Sequence, residues 1–437
     1  MRAFAKATTA SRSRSLKAVV AGVAILSASA LVLSGCSSSG SDTSSSKPSK
    51  DLTLKIGTVL PQTGSLAFLG PPEEAGVALA AKEINAAKAG VTVKVTYGDS
   101  GDLDNKAYQT TVPKLLDSGV SAIVGAASSG VSFKFIDSVV DKGVVQISPA
   151  NTSPDFTTYD DKGLYFRTAP SDLLQGEVLG NTIAEDGNET LGIIYQNDAY
   201  GTGLEKVVNK TFTDAGGKVV SAQSFNVGDT TFDSQISAVT GADPDAIILI
   251  TFNEIYTIAP ALNAAGYPSD KLYLVDGNLK QFGTQADNTD PSNPLPALPA
   301  GIFTGAKGTT PGPILADDFQ KRLSENWVSL GNKALTDYSY AGESYDATVL
   351  LALSALAAGS TDGAKLAKKM QEVSGGTGKG KKASSFADAA KIINAGNVVD
   401  YDGYSGGIKF DKAGDPTEAS IGIFQYDAEN KFKRINK

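Results

Sequence analysis

The sequence predicts an α/β protein of two lobes, each a parallel sheet flanked by helices. Short, continuously apolar runs at 122–125, 191–195 and 246–250 alternate with segments of helical spacing, the pattern of strands covered on both faces. The alternation comes in two successive sets. Beyond its N-terminal region the chain keeps roughly 390 residues, too many for one core.

The first set opens with a strand over 52–59, alternating and then wholly apolar. A helix over 73–87 places Val77, Ala80, Ala81 and Ile84 on one face, with Lys82 and Glu83 outside. A strand over 91–97 precedes a helix over 105–116 that Pro113 kinks or shortens. Strands at 122–125 and 144–147 bracket a helix over 131–141. The second set runs through a helix at 173–184, a strand at 191–195 and a helix at 204–215 stopped by Gly216-Gly217. A strand at 246–250, a helix up to Gly266 and a strand at 271–275 complete it. Residues 288–299, rich in Pro and Asn, read as a loop or crossover, and the Gly/Lys run 375–382 reads as a solvated loop. Strand-like stretches at 407–410 and 421–426 end the chain.

The N-terminus reads as targeting. Arg2, Lys6, Arg12, Arg14 and Lys17 precede an apolar run over 18–33 that ends in small residues, the form of a secretory signal over 1–35. The run is shorter than the ~20 apolar residues of a membrane span. Leu33-Ser34-Gly35-Cys36 resembles the bacterial lipobox, in which the cysteine becomes the lipidated first residue of the mature protein. Cys36 is the only cysteine, and acylation accounts for an unpaired thiol in an exported chain. The Ser/Gly/Lys-rich stretch over 36–51 cannot bury a core and reads as a flexible tether.

Composition removes whole classes of function. The formal net charge is −8; without the five basic residues of the leader, 34 Lys and Arg stand against 47 Asp and Glu, or −13. So acidic a mature surface argues against a nucleic-acid partner. The absence of histidine excludes Ser-His-Asp and Cys-His catalysis and histidine-based zinc sites, and a single cysteine builds no thiolate site. No metal and no cofactor is expected. A secreted carboxylate enzyme, such as a glycosidase, remains as an alternative through Asp160-Asp161 or Asp317-Asp318. Adjacent acids on a helix point to different sides, so these pairs read as solvated surface.

Ligands of open parallel sheets bind beyond the carboxyl ends of the strands. In the first set those positions carry Ala127, Ser128 and Ser129, then Ser148 to Thr152: hydroxyls and backbone N–H groups suited to a carboxylate. In the second they carry Tyr200, Phe252, Asn253 and Asp276: aromatic surface and an anion suited to an ammonium group. Together they describe an α-amino acid held between lobes.

Several motifs match one family in order. Val59-Leu60-Pro61-Gln62-Thr63-Gly64, Ala67-Phe68-Leu69-Gly70 and Glu83-Ile84-Asn85 resemble the opening of the branched-chain amino-acid binding proteins of ABC importers. So do Ile147-Ser148-Pro149-Ala150-Asn151-Thr152, Phe166-Arg167, Pro170-Ser171-Asp172 and Asp198-Ala199-Tyr200-Gly201. Tyr345-Asp346-Ala347, Phe410-Asp411 and Gly414-Asp415-Pro416 complete the series. The resemblance implies a type I periplasmic binding protein fold with three hinge crossovers. It implies lobes of 52–171 with 304–417 and of 172–303 with 418–437. It further implies that Ser129 and Thr152 hold a ligand carboxylate and that the Ala150 carbonyl and Asp276 hold its ammonium. Tyr200 and Phe68 would pack on the ligand, Ala127 would lie near it, and Phe252 and Asn253 would supply further contacts. The family position of Asp276 is often Glu, and Pro71-Pro72 departs from the family pattern. The expected protein is a lipid-anchored monomer outside the cell membrane, capturing an amino acid for an ABC permease and catalysing nothing. A binder or sensor of amides or urea on the same fold is the alternative.

Overall fold

The computed structural model describes residues 51–283, 285–286, 289–290 and 293–436. The signal segment, Cys36 and nearly all of the tether lie outside the described residues, as does part of the 288–299 loop.

The strands are β1 (Leu52–Val59), β2 (Val91–Thr96), β3 (Ala122–Gly125), β4 (Val145–Ser148), β5 (Tyr165–Arg167), β6 (Thr190–Gln196), β7 (Lys218–Phe225), β8 (Ala246–Ile250), β9 (Leu272–Leu274), β10 (Lys307–Pro311), β11 (Lys381–Ala383), β12 (Val399–Gly403), β13 (Gly406–Gly407), β14 (Ile421–Tyr426) and β15 (Phe432–Arg434). The helices are α1 (Gly70–Ala87), α2 (Tyr108–Asp117), α3 (Ser129–Ser132), α4 (Ile136–Asp141), α5 (Asp172–Glu185), α6 (Ala199–Asp214), α7 (Asp233–Thr240), α8 (Ile255–Ala264), α9 (Asp317–Ser329), α10 (Ala341–Ala358), α11 (Gly363–Val373) and α12 (Phe386–Asn394).

Two large sheets result. The first, in the order β2-β1-β3-β4-β5, is wholly parallel. The second, β15-β14-β10-β9-β8-β6-β7, is parallel from β10 to β7 and antiparallel where β14 and β15 close its edge. A small sheet, β11-β12-β13, stands apart. The chain passes between the two large sheets three times, after β5, after β10 and before β14. Helices α9 to α12 return to the first sheet, where Phe319, Leu350 and Met370 share a core with Leu54 and Val124. Strand β10 joins the second sheet, so the return crossing falls after Pro311, past the boundary drawn at 304.

Most elements lie where the apolar pattern puts them, and the departures have local causes. Helix α1 starts at Gly70, with Pro71 and Pro72 in its first turn, where a missing N–H leaves no helical bond unmade. Beside it, a Cβ on Gly76 would stand 2.4 Å from the Ala341 carbonyl, so α1 and α10 approach through a glycine. The single helix expected over 131–141 is broken into α3 and α4. At the break Phe133 stacks on Phe156 with centroids 4.0 Å apart, and Phe135 turns inward against Tyr108. Strand β7 and helices α7 and α9 to α12 come from segments where the local pattern predicts no element. Strand β7 lies at a sheet edge with mostly solvent-facing side chains and so carries no continuous apolar run. Helix α10 is buried on every side from Ala341 to Ala355, enclosing Glu343 and Asp346 among its apolar residues, so no one-sided apolar stripe marks it. The 375–382 run ends in β11, where Lys382 pairs with Asp400 at 3.0 Å and with Asp402. Of the 407–410 stretch, Gly407 is paired in β13 and Phe410 forms a lone bridge to Pro416.

Candidate ligand-binding cleft

The first wall of the cleft is two strand-end loops tied together by side chains. Ser148 Oγ donates to the Ala126 carbonyl at 2.6 Å and accepts the Asn151 N–H at 2.8 Å. Asn151 Nδ2 donates to the carbonyls of Ala126 and Ala127 at 3.0 and 2.8 Å. The guanidinium of Arg167, 0% exposed, holds the second loop from behind by donating to the Asn151 and Ser153 carbonyls at 3.3 and 2.8 Å. Its Nε donates to Asp415 at 2.6 Å, which joins two of the motifs read from sequence. Ser129 is the first residue of α3. The structure gives the cap to Ser128, whose hydroxyl accepts the Val131 N–H, and leaves Ser129 Oγ accepting the Ser153 N–H at 3.3 Å.

The second wall follows β6, β8 and β9. The turn after β9 is set by Asn278, which accepts the Val275 N–H at 3.0 Å and donates to the Leu249 carbonyl at 2.7 Å. Gly277 is required there: a Cβ would stand 2.8 Å from the Phe252 ring. Phe252 in turn stacks on Tyr200, centroids 5.5 Å apart.

Asp276 is the polar centre of this wall. Its Oδ1 accepts from the Tyr200 hydroxyl at 2.6 Å and from Gln175 Nε2 at 2.9 Å, and its Oδ2 accepts from the Tyr340 hydroxyl at 2.6 Å. Burial pushes the Asp276 carboxyl above its ordinary value, and the three donors pull it back. Burial and the nearby Asp276 charge keep the Tyr200 and Tyr340 phenols protonated.

Leu66, Leu69, Ala127, Ser128, Ser129, Ala150, Thr152, Tyr200, Phe252, Asp276, Gly277 and Tyr340 line one narrow space between the walls. Only about 20 Å³ of it is open to the centre of a water molecule, so the walls are shut on each other. Seven of the nine residues expected at the site are therefore together. Phe68 packs in the same core as Ala127, Tyr200 and Phe252 but faces a second, wider cavity of about 690 Å³. There the Lys280 ammonium lies over the Phe68, Tyr256 and Phe282 rings at 4.7, 4.8 and 5.7 Å. Asn253 does not line the narrow cleft; it is partly buried, and its carbonyl accepts the Tyr256 N–H at the start of α8.

Sequence reasoning missed Tyr340, Gln175 and the Leu66/Leu69 pair. Gln175 follows the Ser171-Asp172 motif by one helical turn, a signal that was available. Tyr340 had none: its ring reaches Asp276 across 64 residues of chain, and its backbone holds a left-handed φ of 58° just before α10. The acid pairs of the enzyme alternative lie elsewhere. Asp161 caps a turn at Gly163, and Asp317 and Asp318 are exposed in the first turn of α9.

The periplasmic binding protein family profile matches residues 53–407. The leucine-, isoleucine-, valine-, threonine- and alanine-binding protein of Pseudomonas aeruginosa is 34% identical over 194 residues, 44% of this chain and 51% of the relative. The chain thus spans about half the length of that relative. The Leu/Ile/Val-binding protein homolog 1 of Brucella abortus is 28% identical over 322 residues, 72% of this chain and 82% of its own. The crystal structure of a branched-chain amino acid transporter substrate-binding protein from Streptococcus pneumoniae, in complex with isoleucine, superposes with a TM-score of 0.64. It is 20% identical, with 88% of this chain and 100% of that chain covered, and it supports the two-sheet fold.

Proposed function

The chain belongs to the periplasmic binding protein family, and from that premise we propose that it captures a branched-chain amino acid or a close relative and delivers it to an ABC permease. The observation that carries this reading is chemical asymmetry across the cleft. One wall offers the hydroxyls of Ser129 and Thr152, and the other an acid, Asp276, beside the Tyr200 and Phe252 rings. In this reading the first wall holds the ligand carboxylate with backbone N–H groups. Asp276 and the Ala150 carbonyl hold the ammonium, and the rings cover the side chain. The relatives' named ligands support the same class of compound.

Capture works by hinge closure. Residues 52–171 with 312–417 move as one lobe and 172–311 with 418–437 as the other. Only the closed arrangement makes both sets of contacts, so ligand shifts the equilibrium toward it. The narrowness of the cleft supports this reading, because an amino acid enters only when the lobes part. The protein performs no chemistry on its ligand. It acts as a monomer, outside the cytoplasmic membrane, held there by a lipid on Cys36; mass spectrometry of the exported protein reads that modification directly.

The test is calorimetry with leucine, isoleucine and valine on wild type and Asp276→Ala. Leaving a buried ammonium unpaired costs about 2–5 kcal/mol, so Kd rises by at least ~30-fold. A variant that binds as tightly as wild type means the site is wrongly assigned. Binding of a neutral amide with no amino-acid binding would replace the ligand class.

A further inference from the structure

Behind the residues that line the cleft, next to Thr152 and Gln175, lies a second acid that amino-acid capture leaves unused. Asp172 opens α5 and is 0% exposed, and neither of its carboxylate oxygens reaches hydrogen-bond geometry with a donor among the described residues, although the Thr152 side chain lies near enough to favour its charged form. Its backbone N–H donates to the Thr152 carbonyl at 2.7 Å, so it abuts the loop assigned to the ligand carboxylate. Gln175, three residues on and therefore on the same helix face, donates to Asp276 at 2.9 Å. The first turn of α5 thus carries Asp172 against both halves of the site.

The cation that acts on it, Arg167, is committed to Asp415 at 2.6 Å. The other titratable groups facing the pair are the Tyr200 and Tyr340 phenols, Asp198 from the start of α6 and, behind Tyr340, Glu343 from α10; none carries positive charge. Burial first, then the Asp276 charge, holds the Asp172 carboxyl well above the usual carboxylate range, against smaller opposing pulls from Thr152 and Arg167. A buried carboxylate without a partner is costly, and two neighbouring buried acids do not both ionise.

We propose that Asp172 and Asp276 are a proton-sharing acid pair and that the ligand's ammonium group displaces the shared proton as the lobes close. This rests on the amino-acid reading and deepens it. Before binding, the pair holds one proton and one negative charge. With the ammonium seated, two carboxylates face one cation and the proton leaves to solvent, so the charge of this subsite is unchanged. A neutral amide brings no cation and leaves the proton in place. The pair therefore selects amines over amides.

The experiment is titration calorimetry with L-leucine, L-isoleucine and L-valine as probes, in phosphate, HEPES and Tris buffers. The dependence of the heat on buffer ionisation enthalpy counts protons exchanged. Wild type is expected to release close to one proton at pH ~7, with affinity rising by up to about tenfold for each unit by which the pH is raised toward that value. Asp172→Asn is expected to lose both. Wild-type binding without proton release, or an Asp172→Asn variant that releases as many protons, overturns the inference and leaves the amino-acid reading standing. Failure of all three probes to bind overturns that reading, and this inference with it. An infrared difference spectrum of wild type makes the test independent of how well the variant folds. It must lose a protonated-carboxyl band when ligand is added, and a spectrum without that loss overturns the proposal.

Discussion

Replacing Arg167 by methionine tests whether the wall carrying Thr152 is held from behind by one buried cation. The guanidinium is 0% exposed; it donates to Asp415 at 2.6 Å, to the Ser153 and Asn151 carbonyls at 2.8 and 3.3 Å, and to the Thr157 hydroxyl at 3.2 Å. Methionine fills much of the volume and removes every donor. Asp415 then keeps the Thr157 hydroxyl, at 2.6 Å, as its remaining side-chain donor. Breaking a buried ion pair from one side costs about 3–5 kcal/mol. The two orphaned carbonyls put the expectation in the upper half of that range, since each lost bond to a buried group costs about 1 kcal/mol or more. Trp327, the only tryptophan, packs in the first-lobe core and reports its unfolding in urea by fluorescence. Removing both charges in Arg167→Met/Asp415→Asn should recover part of the loss, because no lone charge stays buried. A single variant within about 1 kcal/mol of wild type, or a double variant whose cost is the plain sum of the two, refutes the reasoning.

Two further outcomes follow from other buried groups. Glu343 is 4% exposed, and burial, with the Asp346 charge adding, pushes its carboxyl from 4.5 up to about 8. As pH rises the unfolded chain ionises first, so the stability this group contributes is full below 4.5 and lost by about 8. Urea unfolding should show Glu343→Gln gaining on wild type by a few kcal/mol at most between those limits, and an equal gap at about pH 5 and about pH 9 would contradict the assignment. Tyr340→Phe removes one of the three donors to Asp276. A hydrogen bond to a charged group is worth about 1.5–3 kcal/mol, so Kd for the amino-acid ligand should rise about tenfold or more by calorimetry; an unchanged Kd removes Tyr340 from the site.

The strands that flank the cleft are legible in the sequence because each is a short run buried on both faces, and that places the residues just past their ends. Ser129, Thr152, Tyr200 and Asp276 are named in this way, and they line one narrow cleft. The errors fall where local pattern and packing diverge. The 131–141 helix broke because two aromatic rings, Phe133 and Phe135, found partners that a continuous helix does not offer them. Asn253 sits one residue past Phe252 yet does not line the narrow cleft, because the chain has already turned into α8.

The sequence by itself determined the α/β class, the two successive sets of strands and helices and the chemistry available at the strand ends, since the spacing of apolar residues records which face of each segment leaves water. It also excluded histidine chemistry by composition alone. Only the tertiary structure decided which distant groups meet. Tyr340 and Gln175 reach Asp276 across 64 and 101 residues, Arg167 reaches Asp415 across 248, and Asp172 is buried against the Thr152 loop with no donor at hydrogen-bond geometry among the described residues. Periodicity encodes burial along a segment, but the neighbours a buried group meets depend on how separate segments pack, and no local pattern carries that.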